Sequence, residues 1–145
     1  MPFEDRFILG PFAVDPSGRL SPAHPDLVPG FTVRWRGRVV HARLSAHGPE
    51  DGTLTIHSNL GRIPSTASGP AARVASFAAL RRVLRRLPPA WRSRLHPDHR
   101  HSLEVEASIR LPVTAANLVT EVTAFLLDLA PVLDVLEQAG FAAVA

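Results

Sequence analysis

The chain has 145 residues, 46% of them apolar and 20% charged, so one domain with a buried core is expected rather than disorder. It holds no cysteine, which removes disulfides, thiolate catalysis and cysteine-ligated metal, and no apolar run approaches the ~20 residues of a membrane-crossing helix. All 16 cations are arginine: residues 1–110 hold every one of them with 9 acids (net +7), while residues 111–145 hold 4 acids and no arginine (net −4).

With abundant Ala and Pro, the lysine-free composition reads first as codon bias and only then as nucleic-acid binding. A basic body with an acidic last segment implies two ends that meet, or that face different partners. The start, MPFEDRFILGPF, carries acids where a secretory leader needs cations, so a cytoplasmic location is expected.

Residues 1–30 contain six prolines: Pro2, Pro11, Pro16, Pro22, Pro25 and Pro29. Proline removes a backbone donor and disfavours helix before it, so this segment is expected to be an extended N-terminal arm. Asp15-Pro16-Ser17-Gly18 fits a type I turn, and Phe3, Phe7, Ile8, Leu9 and Phe12 are expected to lie on the body. Residues 31–145 are then a single domain.

From Gly30 the pattern alternates. Phe31, Val33 and Trp35 share one face, and Val40, Ala42, Leu44 and Ala46 share a face of the next run. Arg36-Gly37 is read as a two-residue hairpin loop. That register opposes Trp35 to Arg38, Val33 to Val40 and Phe31 to Ala42, with Arg38 against the Trp35 indole. After the turn-rich His47–Gly52, opposing Leu44 to Leu54 and Ala42 to Ile56 extends the same apolar face into a meander.

Residues 61–70 read as a loop. A helix follows at about 70–87, opened by Pro70 with Ser68 or Gly69 as cap, and closed by Pro88-Pro89. Its expected buried stripe is Val74, Phe77, Leu80, Leu84 and Leu87. Trp91–Leu95 and Ser102–Leu111 read as a second hairpin around His96-Pro97-Asp98-His99. Thr114 caps a last helix over 115–139 with the stripe Leu118, Val122, Phe125, Leu126, Leu129, Leu133 and Leu136. Pro131 is expected to kink it and Gly140 to stop it.

The predicted fold is α+β: a five-stranded antiparallel sheet in the order β-β-β-α-β-β-α, two helices packed on one face, and the proline-rich arm. The opposite face is left to Arg34, Arg36, Thr53, Thr55, His57, Glu104, Glu106 and Arg110, solvated or in contact. Glu104 and Glu106 are expected to pair with Arg34, Arg36 or Arg110 rather than act as catalytic carboxylates.

Chemistry-bearing motifs are sparse. There is no Gly-x-Ser-x-Gly turn, no phosphate loop and no dinucleotide glycine motif, so no catalytic residue is assigned and no cofactor is expected. His96, His99 and His101 with Asp98 carry zinc-ligand chemistry, but their spacing matches a polar hairpin tip better than a metal site. Arg81, Arg82, Arg85 and Arg86 form an RRxxRR block suited to phosphate, although no helix-turn-helix accompanies it and the sheet face lacks stacking aromatics.

Leu54-Thr55-Ile56-His57-Ser58-Asn59-Leu60, the Gly61-Arg62-Ile63-Pro64 exit, the helix to Leu87, the Leu103–Leu111 strand ending in Leu-Pro and the long final helix together carry a resemblance. Over about residues 31–139 the chain resembles the type III secretion chaperone-like fold, including its bacterial sensory-transduction-regulator relatives. Secretion chaperones open with a helix where this chain has its arm. The resemblance implies a small homodimer that binds protein segments and performs no catalysis.

The expected function is thus a non-catalytic, dimeric protein-binding module that takes a segment in a groove or along a sheet edge, with Phe31, Val33 and Trp35 beside the first edge and the arm already placed there. The acidic final helix facing an arginine-rich partner is a further mode. The alternatives are nucleic-acid binding through Arg81, Arg82, Arg85 and Arg86, and a metal-dependent enzyme at His96, His99 and His101.

Overall fold

Two antiparallel sheets and two helices make up the chain in the computed structural model, which describes residues 7–24, 26–63 and 69–141. The first sheet is a three-stranded meander of β1 (Phe7–Leu9), β2 (Phe12–Val14) and β3 (Leu20–Pro22). The second holds β4 (Gly30–Trp35), β5 (Arg38–Ala46), β6 (Asp51–Arg62), β7 (Trp91–Leu95) and β8 (Arg100–Arg110) in the order β4-β5-β6-β8-β7. Between β6 and β7 runs α1 (Pro70–Leu84), and α2 (Ala115–Gln138) follows β8.

The arm differs from the expectation. Its short apolar runs pair with each other, Phe7 with Val14 and Phe12 with Pro22, so proline-rich sequence still forms strands where a partner run lies close. The Asp15–Gly18 turn joins β2 to β3. The Asp15 carboxylate accepts from the Ser17 hydroxyl at 2.6 Å and from the Ser17 and Arg19 amides, which holds its pKa below the ordinary 3.8. Ala13 and Val14 are buried and Phe12 packs on the core, but Phe7, Ile8 and Leu9 face solvent; Phe3 lies outside the described residues. The small sheet docks through reciprocal backbone bonds between Leu20 and Val113. It does not pair with β4.

The β4–β5 hairpin has the expected register: Phe31 opposite Ala42, Val33 opposite Val40, Trp35 opposite Arg38. Arg36 and Gly37 both have positive φ, 52° and 74°, as a two-residue loop matched to strand twist requires. Leu44 opposes Leu54, and Ala42 opposes Ile56. β6 then pairs along nearly its whole length with β8, bringing Ile56 to Val105 and His57 to Glu104. A shift of register between Asn59 and Gly61 makes Leu60 a bulge.

The inward residues of β5, β6 and β8, among them Leu44, Leu54, Ile56, Leu60 and Leu103, pack with both helices in one core. α2 buries Leu118, Val122, Phe125, Leu129, Val132, Leu133 and Leu136, the expected stripe with Val132 in place of the half-buried Leu126. Thr114 accepts the Asn117 amide at 3.1 Å, as its capping position predicts. At the other end Gly140 (φ 96°) lets the Gly140 and Phe141 amides reach the Glu137 and Leu136 carbonyls, and Phe141 is buried against the core. The helix continues through Pro131.

α1 is rotated from its expected orientation. It buries Ser76, Ala79, Leu80 and Val83, whereas Val74 is 66% exposed and Phe77 and Leu84 are half-buried. On this face the Ser76 hydroxyl donates to the Ala139 carbonyl at 2.9 Å. The Arg73 guanidinium covers the Phe77 ring at 4.9 Å. Gly69 stands at the N-cap without a side-chain bond, and Ser68 lies outside the described residues.

Candidate functional site

The order of the five-stranded sheet puts Phe31, Val33 and Trp35 on an edge strand. Their side chains are half-buried and pack on the core, so they support β4 rather than project from it. The backbone is what faces out. Antiparallel pairs alternate between hydrogen-bonded and non-bonded. The Leu44 amide donates to the Pro29 carbonyl, which makes 29/44, 31/42, 33/40 and 35/38 the bonded pairs. The N–H and C=O groups of Gly30, Thr32 and Arg34 therefore point away from β5. No strand among the described residues covers them, since the arm docks at Val113 instead.

The face of the sheet away from the helices carries a row across all five strands. Thr32, His41, His57, Glu104 and Arg92 are successive cross-strand neighbours. The His41 and His57 rings lie 6.0 Å apart. Burial and the neighbouring His41 hold the His57 imidazole below its ordinary 6.5, with Glu104 opposing. Two shallow cavities of about 570 and 350 Å³ share His57 and Glu104. Strand periodicity places His41 and His57 outward, but the row itself depends on the β6–β8 pairing, which joins segments separated by a helix.

Two expected partners differ on this face. Among the described ion pairs Glu106 approaches Arg92, at 4.0 Å, rather than Arg34, Arg36 or Arg110. Arg36 leaves the face altogether. It lies 5.5 Å from the centre of the Trp35 ring, the place predicted for Arg38, and pairs with Asp134 at 2.9 Å and Glu137 at 2.8 Å. Arg38 turns inward and is 1% exposed. Its Nε and Nη2 donate to the Leu60 carbonyl at 2.9 and 2.7 Å, and its Nη1 to the Arg36 carbonyl and to Glu137. The acidic end of α2 thus meets arginines of its own chain.

The three histidines of the β7–β8 tip do not converge. His96 bonds the Ser102 hydroxyl at 2.8 Å, and His99 (φ 67°) meets Arg73 at 3.3 Å. His101 is buried, and among the described residues neither of its ring nitrogens has a hydrogen-bond partner. Burial, then the nearby His96, hold its imidazole below 6.5. Among the described residues no group of three His, Asp or Glu side chains is arranged to hold a metal ion.

Arg81, Arg82, Arg85 and Arg86 are exposed along the end of α1 and the turn after it, and none is ion-paired with an acid among the described residues. Of the four, Arg86 also lines a cleft of about 340 Å³ that includes Val83, Leu87, Trp91, Asp128 and Val135. Among the described residues, no helix is long and apolar enough to cross a membrane. Comparisons with family models, with curated proteins and with solved structures return no match.

Proposed function

We propose that the chain is a non-catalytic protein-binding module that adds an extended polypeptide segment outside β4. The supporting observation is the outward row of backbone groups at Gly30, Thr32 and Arg34, beside side chains already anchored in the core. Main-chain hydrogen bonds supply the affinity in such strand addition. The resemblance of the element order to secretion chaperone-like proteins points the same way.

A second copy of the chain is one such segment. Antiparallel pairing of two β4 strands about Thr32 sets Phe31 against the other Val33, and Arg34 against the other Gly30. No two arginines then oppose each other. Sedimentation of the purified chain tests this reading. Wild type is expected to be a dimer, and Thr32→Pro, which removes an outward amide but no bond to β5, a monomer with unchanged circular dichroism. A wild-type monomer, or a dimer that survives the proline, would overturn pairing through β4.

A further inference from the structure

We propose that the arginine-rich border of the sheet, where α1 ends and β7 begins, binds the phosphodiester backbone of nucleic acid without reading its sequence. Residues 81–94 hold six arginines and no acid. Arg81 and Arg85 continue the exposed row of Val74 and Ala78 at helical spacing, so they stand on the outer side of α1, with Arg82 and Arg86 beside them. The Trp91 amide donates to the Pro88 carbonyl at 3.0 Å, and this tight turn leads the chain from the helix into β7. There Trp91 stacks on Phe125 with ring centres 5.0 Å apart, while Arg92 and Arg94 are exposed on the other face of the sheet. The six guanidiniums thus wrap around one border, from the helix layer to the open face.

Composition alone assigns these arginines no task, but their pairing separates them from others. Arg36 and Arg38 meet Asp134 and Glu137 at 2.8 to 3.0 Å, whereas Arg81, Arg82, Arg85, Arg86 and Arg94 enter no ion pair among the described residues. Three acids come near the border. Asp128 shares a cleft with Arg86, Glu104 lies opposite Arg92 in the ladder, and Glu106 reaches Arg92 only at 4.0 Å. The cationic excess remains. Clustered cations displace the counterions condensed on a phosphate chain, and that release supplies affinity independent of sequence. Guanidinium forks add paired bonds to phosphate oxygens.

An acidic protein partner suits this border less well. Next to Arg81 and Arg85 the outer side of α1 carries Val74, Ala75 and Ala78, short side chains that give a protein little apolar surface to bury. A phosphate backbone needs no such anchor. Trp91 is already stacked on Phe125, whereas bases are held by stacking on free rings, so base identity goes unread. None of these residues belongs to β4, and the proposal does not rest on strand addition there.

Fluorescence anisotropy tests it, with labelled RNA and DNA homopolymer strands of about 20 nucleotides and the full chain, between about 50 and 200 mM salt. RNA, DNA or both are expected to bind, with log affinity falling linearly as log salt rises. Replacing Arg81, Arg82, Arg85 and Arg86 together by Gln is expected to weaken binding at least about tenfold and to lower the salt slope by about 3. If that variant fails to fold, Arg81→Gln/Arg85→Gln and Arg92→Gln/Arg94→Gln are each expected to show about a threefold loss. A control, Arg19→Gln/Arg34→Gln/Arg43→Gln/Arg110→Gln, removes the same charge elsewhere and is expected to change affinity less than about threefold. Neither strand binding at about 50 mM salt overturns the proposal. So does equal weakening in the control, which would make net charge the cause, and so does polyglutamate that competes as well as unlabelled strand at equal charge.

Discussion

Two buried titratable side chains flank the bulge in β6, and the fold treats them in opposite ways. On the β5 side Arg38 is 1% exposed, yet its guanidinium donates to two backbone carbonyls and to the Glu137 carboxylate. On the β8 side His101 is 5% exposed, and its ring has no hydrogen-bond partner among the described residues. The β5–β6 ladder ends at the Val40–Ser58 pair, two residues short of Leu60, whose carbonyl lies beyond it. A long forked donor from the next strand takes the place of the missing ladder bond. The imidazole has no such partner, and it meets burial by remaining neutral.

Removing the satisfied group is expected to cost most. Arg38→Met keeps much of the volume but strands the Leu60 carbonyl and weakens the hold on Glu137, which is itself part-exposed. The expected loss is about 3 kcal/mol, read from urea unfolding. A loss under about 1 kcal/mol would mean that water replaces the guanidinium at the bulge, and the contrast with His101 would collapse.

The unsatisfied group is expected to act only in acid. The folded His101 and His57 imidazoles lie below 6.5, so the unfolded chain binds more protons than the folded one as pH falls through that value. Stability is therefore full above about pH 6.5, declines below it, and levels off once the folded imidazoles are also protonated. His101→Leu is expected to flatten this decline while leaving the urea midpoint near pH 8 about unchanged. An undiminished slope in that variant would assign the acid sensitivity to His57.

The smallest effect is expected where arginine has no structural task. Changing Arg81, Arg82, Arg85 or Arg86 singly to Gln should shift stability by less than about 0.5 kcal/mol in thermal unfolding, in contrast to Arg38. A larger loss would place the block within the fold.

Arginines with such different tasks are indistinguishable by residue type, and this marks where the sequence stops being legible. The β4–β5–β6 register is readable because alternation and the Arg36-Gly37 loop are local, and a one-residue slip would turn every apolar side chain outward. The inward turn of Arg38 is not readable, since one of its partners is Glu137, 99 residues further along the chain at the end of α2. α1 misleads for a related reason. Its larger apolar residues suggest one face, but Ser76 and Ala79 are buried while Val74 is exposed, and Ser76 bonds the Ala139 carbonyl, so size of side chain is a poor guide to the buried face. The cleft beside the arginine block is equally hidden, because it exists only where α1, Trp91 and α2 come together.

The outer strand at the far side of the sheet has a consequence of its own. β7 is short and presents Arg92 and Arg94, so two molecules meeting along it bring cation against cation. Such mutual repulsion opposes the zipping of copies into ribbons at that border while leaving the opposite one open.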